Sequence, residues 1–93
     1  MKQPTLGERP TLKPGCRLSP ASSSEALLLI PEGALRLHGP GRRILELCDG
    51  QRSLAGVIEQ LQIEFPATDG ARLSEEVANY LAALQERGAL EFL

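Results

Sequence analysis

The sequence predicts an α+β fold, a small three-stranded antiparallel sheet followed by a three-helix bundle. Three observations carry this expectation. Two apolar runs, 27–30 and 34–38, flank Pro31-Glu32-Gly33, where proline presets φ and glycine completes a tight turn. Two later stretches, about 54–65 and 72–87, place apolar residues at helical spacing. Between sheet and helices, 44–53 reads as a short apolar helix, a stop at Asp49-Gly50 and a new start at Ser53, forming a tight helix–turn–helix corner.

Ninety-three residues suffice for one modest core. Residues 1–8, polar and containing Pro4, are expected to form a flexible N-terminal tail, and residues 9–93 the single folded domain. In Arg9-Pro10-Thr11-Leu12, Leu12 can tuck onto a core before Pro14-Gly15 turns the chain. The first strand falls at 16–19 and ends at Pro20. The second, the unbroken apolar Leu27–Ile30, requires cover on both faces. The third, 34–38, alternates, with Leu35 and Leu37 on one side and Ala34, Arg36 and His38 on the other.

Gly39-Pro40-Gly41 breaks the third strand, so the first helix is placed at about 40–48. The second carries Leu54, Val57, Ile58, Leu61 and Phe65 on one face and stops at Pro66. The third carries Leu73, Val77, Tyr80, Leu81 and Leu84, with Glu75 and Glu76 in its first turn and Arg87 in its last, as the helix dipole favours. Gly88 ends it, and the apolar tail 89–93 is expected to pack back on the core.

Composition narrows the function. Hydrophobic residues make up 42% and charged residues 24%, ordinary for a soluble globular chain, and the net charge of −2 argues against a nucleic-acid or anionic-membrane binder. The charge is unevenly distributed: residues 1–47 hold seven Lys/Arg and four acids, and residues 48–93 hold three and eight. The acidic second half reads either as a solvated surface or as a docking face for a partner. No apolar h-region follows Met1-Lys2-Gln3-Pro4 and no run reaches membrane-spanning length, so a cytoplasmic protein is expected.

Catalytic inventories fail. The one histidine, His38, has no nucleophile at a suggestive spacing, and Cys16, His38 and Cys48 lack metal-ligand spacing, so no enzyme activity, metal or cofactor is expected. Cys48 reads as a buried core thiol. Gly39-x-Gly41 has no phosphate-binding continuation. A sheet with three helices also describes a winged-helix nucleic-acid-binding protein, the alternative function. The second helix, however, carries Glu59, Gln60, Gln62 and Glu64 with no Lys or Arg between Ser53 and Ala71, a surface that repels a duplex. What remains is a binding module. A hairpin whose last strand alternates cleanly suits β-augmentation, in which an extended peptide adds a strand; otherwise that strand is simply an interior or capped one.

The residues Arg9-Pro10-x-Leu12-x-Pro14-Gly15-x-Arg17-Leu18, Leu29-Ile30-Pro31-Glu32-Gly33, Leu47-Cys48-Asp49-Gly50-x-Arg52-Ser53 and Leu84-x-Glu86-Arg87-Gly88-x-Leu90 resemble the PqqD family of pyrroloquinoline quinone biosynthesis. Leu-Cys-Asp-Gly with the following Arg and Ser is the most specific part. The resemblance implies a noncatalytic peptide chaperone with the winged-helix-like fold of a RiPP recognition element. Such a protein binds the precursor peptide PqqA and presents it to the radical SAM enzyme PqqE. It further implies that the peptide adds to the third strand and lies against the third helix. Carried onto this chain, the peptide-binding residues are Gly33, Ala34, Leu35, Arg36, Leu37 and His38 with Val77, Tyr80, Leu81 and Leu84, and Arg36 is the candidate contact for an acidic peptide residue. The connection over 20–24 is shorter than in most of the family, which leaves room for strand exchange between two chains and hence a homodimer.

Overall fold

The computed structural model describes residues 5–20, 26–37 and 40–93. The element order is β1 (Pro10–Leu12), β2 (Arg17–Leu18), β3 (Leu27–Ile30), β4 (Gly33–Arg36), α1 (Gly41–Glu46), α2 (Leu54–Glu64), α3 (Gly70–Glu86) and β5 (Leu90–Phe92). The three-stranded antiparallel sheet is present, in the order β2-β3-β4, and the three helices follow it. The fold is α+β and winged-helix-like.

A second, two-stranded sheet lies outside the sequence expectation. β1 pairs antiparallel with β5, and the ladder continues through reciprocal backbone bonds between Arg9 and Leu93 of 3.1 and 2.8 Å. The apolar tail therefore packs back as a strand, and the segment around Leu12 is its partner. Neither run is long or regular enough to announce a strand by itself, because the pairing links opposite ends of the chain. Residues 5–8, expected as tail, make a turn whose Leu6 and Glu8 carbonyls accept from the Ala55 and Leu54 amides at 3.0 and 2.8 Å. They thus satisfy two of the orphan donors at the start of α2.

The corner at 44–53 has the expected chemistry. Asp49 Oδ1 accepts from the Gln51 and Arg52 amides at 2.9 and 3.1 Å, and Gly50 turns the chain at φ 77°. Those amides, Gln51 first, hold the Asp49 carboxyl below its usual range. Ser53 Oγ caps α2 by accepting from Gly56 at 3.1 Å. The Gly50 amide donates to the Pro10 carbonyl at 3.0 Å, so the corner is fastened to the β1–β5 sheet.

Helix ends shift slightly from expectation. α1 ends at Glu46 rather than 48, and α3 begins at Gly70 because Asp69 caps it by accepting from Ala71 at 2.9 Å. α3 finishes in paired bonds, Ala89 to the Leu84 carbonyl and Gly88 to that of Gln85, both 3.0 Å. Leu28, Leu45, Leu54, Leu61, Leu81 and Leu90 are the largest wholly buried side chains, joined by Val57 and Val77. Each such Leu stabilises the fold by about 1.5–3 kcal/mol through burial alone. With so few aromatics, the core is a leucine core.

Candidate peptide-binding site

β4 is an edge. Among the described residues it pairs only with β3, in the register Leu27↔Arg36, Leu28↔Leu35, Leu29↔Ala34 and Ile30↔Gly33. The Leu37 amide donates to the Ala26 carbonyl at 2.8 Å, while the Ser19 amide donates to the Leu27 carbonyl from the other side at 2.9 Å. Antiparallel pairing alternates, so Gly33, Leu35 and Leu37 turn their backbone groups toward β3. Ala34 and Arg36 therefore turn theirs toward the outer edge. An added strand would meet a donor and an acceptor at each of these two residues.

Beside this edge runs a groove of about 380 Å³ between the end of β4 and the C-terminal half of α3. Leu35, Arg36 and Leu37 form one wall, and Tyr80, Ala83, Leu84 and Arg87 form the other. Alternation of the strand brings Leu35 and Leu37 to the helix side, and the i, i+3, i+4, i+7 spacing brings the four helical residues onto one face. The groove is mostly apolar, with Arg36 and Arg87 among the residues that line it. It suits an extended chain carrying an apolar side chain and an acidic one.

The sequence-derived residues divide accordingly. Leu35, Arg36, Leu37, Tyr80 and Leu84 come together in the groove. Gly33 and Ala34 are exposed on the strand before it. Val77 and Leu81 are 1% and 0% exposed, part of the core beneath, although Val77 also borders a smaller cleft next to α1. His38 lies outside the described residues. Ala83 and Arg87 were missed. A small residue and a basic one in a last turn read as surface, yet both fall on the helical face that holds Tyr80 and Leu84.

Tyr80 brings a phenol to the site. Its hydroxyl is buried and has no hydrogen-bond partner among the described residues. Burial first, and the neighbouring Cys48 second, push its phenol pKa upward. Cys48 is itself core: its Sγ donates to the Ile44 carbonyl at 3.2 Å, and burial pushes the thiol up to about 12. Among the described residues no His, Cys, Asp and Glu side chains cluster as metal ligands, and no helix is long and apolar enough to cross a membrane.

Residues 25–90 match the family model for coenzyme PQQ synthesis protein D (PqqD). A PqqA binding protein of Azotobacter vinelandii is 36% identical over 93 residues, covering 98% of both chains. Another, from Pseudomonas paraeruginosa, is 34% identical over 83 residues and 87% of each chain. The solution structure of the PqqD truncation of Methylobacterium extorquens PqqCD, a functional and stand-alone RiPP recognition element, matches with a TM-score of 0.72 at 26% identity, covering 88% of this chain and 87% of its own. The heterocyclase TruD shares the fold, with a TM-score of 0.65 at 21% identity over 92% of this chain and 12% of its own. The fold is that of a RiPP recognition element. The chain belongs to the PqqD family.

Proposed function

We propose that this chain is a noncatalytic peptide chaperone of pyrroloquinoline quinone biosynthesis. It binds a PqqA-type precursor peptide as an added strand on β4 and presents it to a PqqE-type radical SAM enzyme in the cytoplasm. The observation that carries the reading is the β4 edge, with Ala34 and Arg36 turned outward beside the apolar groove under Tyr80 and Leu84. Strand addition needs both parts, since main-chain bonds supply affinity and the groove supplies selectivity. Family membership and the names of the relatives support the peptide and the pathway. The acidic residues of the second half of the chain offer the enzyme a docking face. The short connection over 20–24 leaves room for two copies to exchange the first strand, which would give a homodimer.

The test is an amide chemical-shift titration with a synthetic PqqA-type peptide. Shifts concentrated at 34–37 and at Tyr80, Ala83, Leu84 and Arg87 are expected. Saturating peptide that leaves those amides unmoved defeats the reading.

A further inference from the structure

A larger cleft lies at the other end of α3. Its volume is about 670 Å³, and its apolar walls are Ile44, Leu61, Phe65 and Leu73, from all three helices and the end of α2. That is a size that accepts a large side chain. Phe65 stands at its mouth, 39% exposed. The charged groups around it are already committed. Arg43 holds Glu64 at 2.6 Å, Arg42 holds Glu46 at 3.3 Å, and Glu76 is held by Arg72 at 3.1 Å. The cleft therefore offers an apolar side chain a place to be buried and offers a charged one no unsatisfied partner.

A smaller cleft of about 170 Å³ stands between this one and the β4 groove along α3; it shares Tyr80 with the β4 groove, and Pro40, Ile44, Leu73 and Glu76 with the large cleft. The floor of all three is one face of α3. Leu73, Tyr80 and Arg87 are seven residues apart in turn, which keeps them on one stripe within about 20° per step. From Leu73 to Arg87 the helix rises about 21 Å. An extended chain covers that distance in about six or seven residues.

We infer that the large cleft is a second subsite for the same peptide, occupied by a large apolar residue about six or seven positions from an acidic residue held at the β4 end by Arg87. The inference rests on the peptide-binding reading above and deepens it. The two ends differ in what they select. Among the described residues the Arg87 side chain makes no ion pair, so the β4 end attracts a carboxylate, whereas the far end takes only apolar bulk. Continuity of the α3 floor makes the one peptide the occupant of both.

The experiment uses a full-length synthetic PqqA-type peptide and a series shortened from each end, titrated into the whole chain. The full-length peptide is expected to move the amides of Ala34 and Arg36 and also those of Phe65, Thr68 and Leu73. Shortening from one end should abolish the second set and weaken binding about tenfold while the first set persists. Phe65→Ala, at a surface position, should remove that tenfold advantage and leave the affinity of the short peptide unchanged. Full-length peptide that moves Ala34 and Arg36 but never Phe65 or Leu73 overturns the second subsite and leaves the β4 site standing. Shifts at Phe65 that come only when the radical SAM enzyme is added give the cleft to that protein, and also overturn it. If no peptide moves Ala34 and Arg36, both readings fall together.

Discussion

The Tyr80 hydroxyl lies 2.6 Å from where a Cβ on Gly41 would stand, and Tyr80 Cζ lies 3.3 Å from it. Only glycine at the start of α1 leaves room for the Tyr80 ring, which lines both the β4 groove and the small cleft next to α1. Gly41→Ala should displace the ring and destabilise the fold by about 1–3 kcal/mol, despite alanine's better helix propensity. Tyr80→Phe removes the nearer atom and an unpaired buried hydroxyl, so alone it should be neutral or stabilising. In the double variant the loss should shrink. A thermodynamic cycle from urea melts measures the coupling, and strict additivity would disprove the contact.

Ala34→Pro separates the fold from its open edge. The Ala34 amide faces away from β3, so proline there removes a donor to the incoming strand and no bond of the native sheet. Thermal stability should change little, while affinity for the peptide should fall about tenfold by calorimetry.

Arg43 and Glu64 bind α1 to α2 through two parallel hydrogen bonds, Nε to Oε1 at 2.7 Å and Nη2 to Oε2 at 2.6 Å. The arginine first, and then Gln60, lower the Glu64 carboxyl to about 2 from an ordinary 4.5. A depressed carboxylate stabilises the fold fully above its unfolded value. Its contribution is therefore present above about pH 4.5 and is lost as the pH falls toward 2. The pair is solvent-accessible, so salt should weaken the effect. Acid melts of Glu64→Gln should lose the part of the slope that lies between these values, and melts with the same slope as the unaltered chain would show that the pair contributes nothing.

The two thiols should react very differently. Cys16 is half-buried, whereas Cys48 is buried, bonded to the Ile44 carbonyl and raised to about 12. At pH 8 a thiol reagent should modify one cysteine promptly and the second only on denaturation. Mass spectrometry identifies which one, and rapid labelling of Cys48 in the native chain would contradict its placement.

Ser53→Ala should cost about 1 kcal/mol by freeing the Gly56 amide at the start of α2. Chemical denaturation reads it directly, with the corner at 44–53 as the affected region.

The helices, the Ser53 cap, the Gly50 and Gly88 stops and the β3–β4 hairpin were legible because each depends on neighbours in sequence, whereas Asp69, the cap of α3, was read as loop. Leu73, Val77, Tyr80, Leu81 and Leu84 announce α3 by spacing alone, and Asp49-Gly50 with Ser53 announces the corner by turn chemistry. That same spacing could not say that Leu81 is in the core while Tyr80 and Leu84 border the groove, nor could it promote Ala83 and Arg87 from surface to wall. The β1–β5 sheet was equally hidden, since its halves are three and three residues long and some eighty positions apart.

By itself, then, the sequence determined the three helices, the β3–β4 hairpin, the leucine core and, through Leu-Cys-Asp-Gly-x-Arg-Ser, the family resemblance. Tertiary structure alone decided that β4 is an edge with Ala34 and Arg36 turned outward, that the N-terminal segment pairs with β5, and that Gly41 makes room for Tyr80. The division has a physical cause. Periodicity, caps and turns act over a few residues and are written locally. Which face of α3 meets which strand is set by packing and hydrogen-bond register between segments far apart in the chain, and no local pattern encodes a through-space neighbour.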